Sequence, residues 1–323
     1  MTIPEQSRIR LSFWQRPEFF MVVVAFVLRV MFMWVQHTMG DDALLPLRLF
    51  RNSTFSVASA QVTVIGMAMF GGLSVIPLYL QIVKGASPTR SGLLLLPLVA
   101  GLMFATFCTG RLTARTGRYK LFPLIGSVLM IIGMVLMTGL GADTPLWRTD
   151  VFMVLFGIGL GMNMQSLVLA MQNAVDARDM GVASAASQFF RSIGGTLGTA
   201  IFLSILFSLA GTRIAHLYVD ASDRASFLRA SNARPHQYTV LQTHLAHGLN
   251  DTSFLNGLAK PLAHPFLVGF SSAADVVFAA TAVLLLVALV LSASLKEVPL
   301  RLVSGQQARA QAEMETGSGV SSL

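Results

Sequence analysis

The stretch GASPTRSGLLLLPLVAGLMFATFCTGRLTARTGRYK, residues 85–120, decides the class of fold. It opens with a turn-rich segment at residues 85–88. An apolar run at residues 92–109 follows, and its length is close to the ~20 helical residues that cross a hydrocarbon core. Basic residues then cluster at 110–120, and the positive-inside rule places such a cluster on the cytoplasmic side. The stretch therefore predicts a multi-pass membrane protein and one orientation for it.

The composition of the whole chain agrees with this class. Of the 323 residues, 54% are hydrophobic and 12% are charged, whereas a soluble domain carries roughly 25% charged residues. The net charge of +8 does not indicate a nucleic-acid partner, because the basic residues lie in short loops rather than on one aromatic-rich face. The sequence shows no arrangement typical of a catalytic, metal or cofactor site, so we expect no enzyme, no metal and no cofactor.

Hydropathy divides the chain into three predicted regions. Residues 1–54 contain a weak membrane helix at 19–35, which carries Arg29, and then a cytoplasmic linker. Residues 55–293 are predicted to form six membrane helices with a long extracytoplasmic loop at 211–264. The predicted spans are 55–80, 91–110, 121–140, 151–171, 182–209 and 265–291. Residues 294–323 are predicted to be a disordered cytoplasmic tail. The predicted fold is an all-α membrane protein, a six-helix bundle preceded by one linker helix.

The distribution of Lys and Arg supports the orientation. With residues 110–120 inside, the short outside loops carry only Lys84, Arg90 and Arg148. The inside segments carry many more: Arg48, Arg51, Arg111, Arg115, Arg118, Lys120, Arg178, Lys296, Arg301 and Arg309. The positive-inside rule therefore places the C-terminus in the cytoplasm.

Several short patterns together resemble one transporter family. Residues 77–97 match the pattern PLYLQ-x-V-x-G-x-SP-x-x-(A/S)GL-x-x-LP, residues 110–118 resemble a basic cytoplasmic loop motif, and residues 46–52 and 295–301 resemble flanking segments. The residues that carry the main pattern are Pro77, Gln81, Gly85, Pro88, Gly92 and Pro97. On these grounds residues 40–303 resemble the C-terminal half of a major facilitator superfamily drug:proton antiporter of the fourteen-span EmrB/QacA-like group.

The resemblance implies a proton-coupled efflux transporter for multidrug or small-molecule substrates in the cell (inner or plasma) membrane. Its expected partners are the lipid bilayer, a small amphipathic substrate and protons. Such a transporter has two six-helix bundles, so this chain would work with a separate N-terminal half or as a homodimer. The loop motif also departs from the family, because Ala114 stands where an acidic residue is common. Two alternatives stay open: a truncated fragment without transport, and a membrane interaction protein.

The basic segment supplies the candidate gating residues. They are Gly110, Arg111, Arg115, Gly117 and Arg118. We expect the glycines to allow a tight loop between two helices, with arginines that bind carboxylates or helix carbonyls when the inner face closes. The alternative is an anchor that fixes topology through anionic lipid.

Polar residues inside the apolar runs are the candidates for transport. Asp275 is predicted near the outer end of its span, where it carries a proton or caps a helix. Arg191, next to Gln188, pairs with an anion or reaches the headgroups. Asn163 and Gln165 line a cavity or hydrogen-bond between helices.

Overall fold

The structure is a computed structural model that describes residues 46–222, 225–247, 255 and 257–295, with positions 24, 27 and 31 in isolation. Within these residues the chain forms helices and turns with no strand, which confirms the all-α prediction. The predicted tail from 296 onward and most of the predicted helix at 19–35 lie outside the described residues. The chain divides into two compact units, Met1–Arg51 and Asn52–Leu323. In the first unit, Leu47–Arg51 is a short 3-10 helix.

Nine α-helices lie in the described part of the second unit. They are α1 (Ser53–Ile82), α2 (Pro88–Leu93), α3 (Leu96–Thr116), α4 (Leu121–Met137), α5 (Leu146–Asn173), α6 (Met180–Ser222), α7 (Ala225–Ala233), α8 (Pro235–His247) and α9 (Lys260–Ser294).

Five helical segments in the described residues are long and apolar enough to cross a membrane: Ser53–Ile82, Pro88–Thr116, Leu146–Asn173, Ala177–Ala221 and Lys260–Ser294. The apolar helix α4 is shorter, with 17 residues. At 1.5 Å per residue it is about 25 Å long, slightly less than the thickness of a hydrocarbon core. The chain is a multi-pass membrane protein, as predicted.

Helices α1, α5 and α9 form the centre of the bundle. Helix α1 packs against α5, α6 and α9, while α5 packs between α3 and α4. Glycines bring α5 close to both neighbours: a Cβ atom at Gly101 of α3 would lie 2.7 Å from the Val154 carbonyl oxygen, and one at Gly159 would lie 2.5 Å from the Gly126 carbonyl oxygen of α4. Such small-residue contacts are typical of helix packing in membranes.

The prediction of a long loop at residues 211–264 was wrong, because most of these residues are helical. Helix α6 continues to Ser222, helices α7 and α8 follow, and α9 begins at Lys260. These segments contain many polar residues, so hydropathy does not distinguish them from a loop. They are held by a small separate core, made by Ala221, Phe227, Leu241 and Leu262. We call the region from Tyr218 to Leu262 the cap.

Specific contacts close the cap. The Tyr218 hydroxyl donates to the Leu262 carbonyl oxygen at 2.7 Å, which joins α6 to α9. The Phe227 ring packs edge-on against Tyr218 and Tyr238, with 6.1 Å between ring centroids in both pairs. The Gln237 amide donates to the Gly257 carbonyl oxygen at 2.9 Å and accepts from the Ala259 N–H at 3.1 Å. Gln237 therefore ties α8 to the start of α9.

Candidate functional site

The family-pattern residues build the turn between α1 and α3. Pro77 lies inside α1, and Gln81 is half-buried in its last turn. Gly85 has φ +63°, which glycine adopts without strain. Pro88 begins α2 behind the N-cap Ser87, whose Oγ accepts from the Arg90 N–H at 3.3 Å. Gly92 is exposed in α2, and Pro97 lies in the first turn of α3. The pattern thus sets helix ends rather than a binding pocket.

The basic segment is not the tight loop that the sequence predicts from Gly110 onward. Helix α3 runs to Thr116, so Gly110, Arg111 and Arg115 are helical. The prediction was wrong because residues between the two glycines continue the helix, and Thr113 is buried. The chain turns at Gly117, where φ is +70° and the N–H donates to the Thr113 carbonyl oxygen at 2.9 Å.

The three arginines of this segment, Arg111, Arg115 and Arg118, are exposed. They present positive charge at the end of the bundle where α1 begins and α5 ends. Those two helix ends are joined by Asn52, whose amide donates to the Ala174 carbonyl oxygen at 2.6 Å. The Asn52 Oδ1 also accepts from the Thr54 N–H at 2.9 Å and caps α1.

A buried polar junction joins four helices near this end. The Gln61 amide of α1 donates to the Ser292 Oγ of α9 at 2.5 Å, and lies 3.4 Å from the Asn163 Oδ1 of α5. The Ser292 Oγ is also 3.2 Å from the Ser127 Oγ of α4. All four side chains are fully buried. The Gln61 Oε1 has no hydrogen-bond partner among the described residues.

Of this polar junction (Gln61, Ser127, Asn163 and Ser292), the sequence singled out only Asn163. Its amide donates to the Gly159 carbonyl oxygen of its own helix at 3.0 Å, while its Oδ1 faces the Gln61 amide of α1. Each of the other three is a single polar residue inside an apolar run. Such a residue does not show by itself that four helices meet at that point. Gln165 is half-buried on the same helix, and a Cβ atom at Gly110 would lie 3.8 Å from its Cγ.

Arg191 lies deep between α6 and α1. It is 7% exposed, and its Nη2 donates to the Ser187 Oγ at 3.5 Å. A Cβ atom at Gly66 of α1 would lie 3.1 Å from the Arg191 Cα, which shows how closely the helices approach. Gln188 is exposed one turn before it.

An open groove runs along α6 beyond Arg191. Its volume is about 600 Å³, and it is lined by Phe70, Ser192, Gly195, Thr196, Thr199 and Ala200. Ser192 and Thr196 are exposed, as is the Phe70 ring. Gln188, Ser192 and Thr196 form a polar stripe along one face of α6.

At the other end of the bundle, Lys84 joins two connections. Its ammonium donates to the carbonyl oxygens of Gly141, Ala142 and Thr144 at 3.1, 2.8 and 2.7 Å. The Tyr79 hydroxyl also donates to Gly141, at 3.1 Å. Burial lowers the pKa of Lys84, and the nearby Asp143 carboxylate opposes this shift. The α1–α2 connection is thereby bound to the α4–α5 connection.

Asp275 lies near the middle of α9, which begins earlier than predicted, at Lys260. It is half-buried, and its Oδ1 has no hydrogen-bond partner in the described part of the chain. The charges of Arg213 and Asp275 interact, but the guanidinium itself donates to the Ser272 carbonyl oxygen at 2.7 Å and to the Ser272 Oγ. The Arg213 guanidinium therefore lies near the Asp275 carboxylate, and the described residues show no direct ion pair between them.

Several known proteins are similar to this chain over most of its length. The sequence model described as Major Facilitator Superfamily matches residues 10–199. An uncharacterised MFS-type transporter of Mycobacterium tuberculosis is 34% identical over 269 residues, which are 83% of this chain and 36% of that protein. A tetracycline resistance determinant of Streptomyces rimosus is 32% identical over 273 residues, with 83% of this chain and 79% of that protein covered.

Two further comparisons agree. The multidrug transporter protein MdtP of Bacillus subtilis is 30% identical over 184 residues, 57% of this chain and 34% of that protein. A bacterial homologue of the human lysosomal transporter Spinster superposes with a TM-score of 0.52 at 14% identity, covering 77% of this chain and 50% of that one. This second likeness bears on fold alone. The chain spans about a third of the length of the mycobacterial and Bacillus relatives. The chain belongs to the Major Facilitator Superfamily.

Proposed function

We propose that this chain forms the C-terminal bundle of a proton-coupled efflux transporter of the fourteen-span EmrB/QacA-like group. It lies in the cell membrane with its C-terminus in the cytoplasm, and it exports small amphipathic compounds. The names of two relatives, a tetracycline resistance determinant and a multidrug transporter, support export of such compounds.

The observation that carries the proposal is the polar stripe of α6. Gln188, Ser192 and Thr196 are exposed along a helix that is otherwise suited to lipid. Polar side chains in membrane helices usually face protein or a water-filled cavity rather than lipid. Of the five spans, Ala177–Ala221 and Pro88–Thr116 also have the smallest share of buried residues, 33% and 22% of an 18-residue window. Both features fit a second bundle that packs here.

Alternating access requires two bundles that move around a site between them. The partner is a separate N-terminal half or a second copy of this chain. Asp275 is the carboxylate that carries the proton, because it is half-buried, has an oxygen without a partner in the described residues, and lies within the field of Arg213. Arg111, Arg115 and Arg118 close the cytoplasmic side by binding carboxylates of the second bundle.

Ethidium accumulation in an efflux-deficient bacterial host tests this proposal. The chain is expressed alone and together with the part of the mycobacterial relative that it does not cover. We expect accumulation to fall in at least one case and to recover when a protonophore is added. Asp275→Asn should abolish export, whereas Asp143→Asn, at an exposed carboxylate, should not.

Membrane insertion is checked in parallel by immunoblotting of membrane fractions. Unchanged accumulation in both expressions, with the chain inserted, would favour the truncated or interaction-protein alternative. Export by the Asp275→Asn variant at the normal rate would remove Asp275 from the proton step.

A further inference from the structure

The groove along α6 is lined by uncharged side chains. Its six lining residues are Phe70, Ser192, Gly195, Thr196, Thr199 and Ala200. Arg191 precedes Ser192 in sequence, but it is only 7% exposed and its guanidinium donates to Ser187 of its own helix. A ligand of this groove is therefore selected by its shape and its hydrogen-bonding groups rather than by a charge.

One wall of the groove is an aromatic ring. Phe70 of α1 is 38% exposed, and its ring lies directly on the backbone of α6. A Cβ atom at Gly195 would lie 2.4 Å from the Phe70 Cδ2, so the ring has this position only because residue 195 is glycine. A ring that is held in this way offers a flat surface to another aromatic ring. The volume of about 600 Å³ falls in the range of drug-sized ligand sites, roughly 300–1,000 Å³.

The α6 wall presents hydroxyl groups. Ser192, Thr196 and Thr199 follow each other at spacings of four and three residues, which places them on one face of the helix. The Thr196 hydroxyl donates its single hydrogen to the Ser192 carbonyl oxygen at 3.0 Å. Its oxygen can therefore only accept a further hydrogen bond, and the matching group on a ligand is an N–H or O–H donor.

We propose that the groove between α1 and α6 binds planar aromatic compounds that carry N–H or O–H donors. Phe70 stacks on the ring of the compound, and the Thr196 oxygen accepts from its donor. This inference rests on the proposed efflux function and names the substrate class. The groove shares Ser192 and Thr196 with the polar stripe, where the second bundle is proposed to pack, so the ligand lies between the two bundles as alternating access requires. Phe70 and Thr196 are thus specificity-determining residues, distinct from the proton step at Asp275.

Binding of two matched fluorescent coumarins to the full chain in lipid nanodiscs tests the inference. 7-Amino-4-methylcoumarin has N–H donors, and 7-dimethylamino-4-methylcoumarin has the same planar ring without them. Empty nanodiscs measure the partition of each probe into lipid, which is subtracted. The ratio of the two dissociation constants is compared between variants, because a general effect on folding changes both constants alike.

Thr196→Val keeps the shape of the side chain and removes the acceptor. It should weaken binding of the amino probe about fivefold, as loss of one neutral hydrogen bond implies, and leave the dimethylamino probe unchanged. Thr196→Ser should keep the wild-type ratio. Thr212→Val is the matched control, because Thr212 is an exposed threonine of α6 that donates to the Ser208 carbonyl oxygen and does not line the groove. It should change neither constant.

Two further variants test the aromatic wall. Phe70→Leu keeps an apolar side chain and removes the ring, so both probes should bind about fivefold more weakly. Gly195→Ala should have the same effect, because the added methyl group displaces the ring. Gly181→Ala is the control for this change, since a Cβ atom there meets nothing within 4 Å, and it should leave both constants as they are.

The inference is overturned if the wild-type chain binds neither probe, if Phe70→Leu binds both as tightly as the wild type, or if Thr196→Val leaves the ratio unchanged. It is also overturned if Thr212→Val changes the ratio as much as Thr196→Val does, because the effect then does not come from the groove. Ethidium export without probe binding leaves the proposed function intact and removes only this inference. Probe binding without export does the reverse.

Discussion

The Nε2 atom of Gln61 donates to the Oγ atom of Ser292 across 2.5 Å, which joins the first and last long helices of the bundle. The two residues are 231 positions apart in sequence. The Ser292 hydroxyl also lies 2.9 Å from the Ala288 carbonyl oxygen of its own helix and 3.3 Å from the Pro123 carbonyl oxygen, and it has one hydrogen to donate. The junction therefore closes the ring of helices through polar contacts rather than through apolar packing alone.

Gln61→Ala and Ser292→Ala should each lower the free energy of unfolding by about 1–2 kcal/mol, and a double-mutant cycle should give a coupling of about 0.6–1.7 kcal/mol. The reason is that each change removes one side of a buried interhelical hydrogen bond. Unfolding in detergent can be followed by labelling of Cys108, the single cysteine, which is half-buried. Gln81→Ala, at the other end of α1, is the control. Strictly additive effects would show that the bond does not stabilise the fold.

Lys84→Met should loosen the connection between α4 and α5. It removes three hydrogen bonds from a charged donor, so local opening of residues 138–146 should become easier by about 1.5–3 kcal/mol. Hydrogen–deuterium exchange of this segment in detergent measures the change. Arg90→Met removes an exposed charge nearby and should leave the exchange rates as they are. If residues 138–146 are equally protected from exchange in both variants, Lys84 does not hold the α4–α5 connection in place.

Two glycines of α6 should respond to alanine with opposite signs. A Cβ atom at Gly194 would overlap the backbone of Thr63 in α1, so Gly194→Ala should cost about 1–3 kcal/mol. A Cβ atom at Gly211 meets nothing within 4 Å, so Gly211→Ala should stabilise the helix by up to about 1 kcal/mol. Thermal unfolding of both variants in the same detergent is the measurement. A rise in melting temperature for Gly194→Ala would mean that α1 and α6 separate without cost.

Gln237→Ala should release the cap while the bundle stays folded. The variant loses the bonds to Gly257 and to the Ala259 N–H, so amides of 235–247 and 257–262 should exchange faster. Amides of α1 and α5 should not change, because the cap has its own core. His236→Ala, at an exposed neighbour, serves as the comparison. Faster exchange throughout the chain would show that cap and bundle unfold together.

The membrane helices were predictable because hydropathy acts over whole segments. Every apolar run predicted between residues 55 and 291 contains a helix, although the ends differ. The pattern residues were informative for the same reason, since Gly85 and Pro88 act locally on the backbone. Local rules of this kind need no knowledge of what packs nearby.

The cap and the polar junction were not predictable in the same way. Phe227 shares a buried cluster with Leu262, which is far along the chain, and tertiary packing of this kind stabilises helices whose sequence is polar. Gln61 and Ser292 meet for a similar reason, because the arrangement of four helices decides which polar residues converge. Helix α3 also extends past Gly110, and Thr113 in this extension is buried in the folded bundle.

Helices α6 and α9 are far longer than a membrane is thick, and this length gives them a mechanical property. With 43 and 35 residues they are about 65 and 52 Å long, against a hydrocarbon core of about 30 Å. Both helices continue into the cap without a break, so a tilt of either helix within the membrane also moves the cap. A tilt of about 10° displaces a point 30 Å along the axis by roughly 5 Å. A distance label on the cap would therefore magnify movements within the bundle.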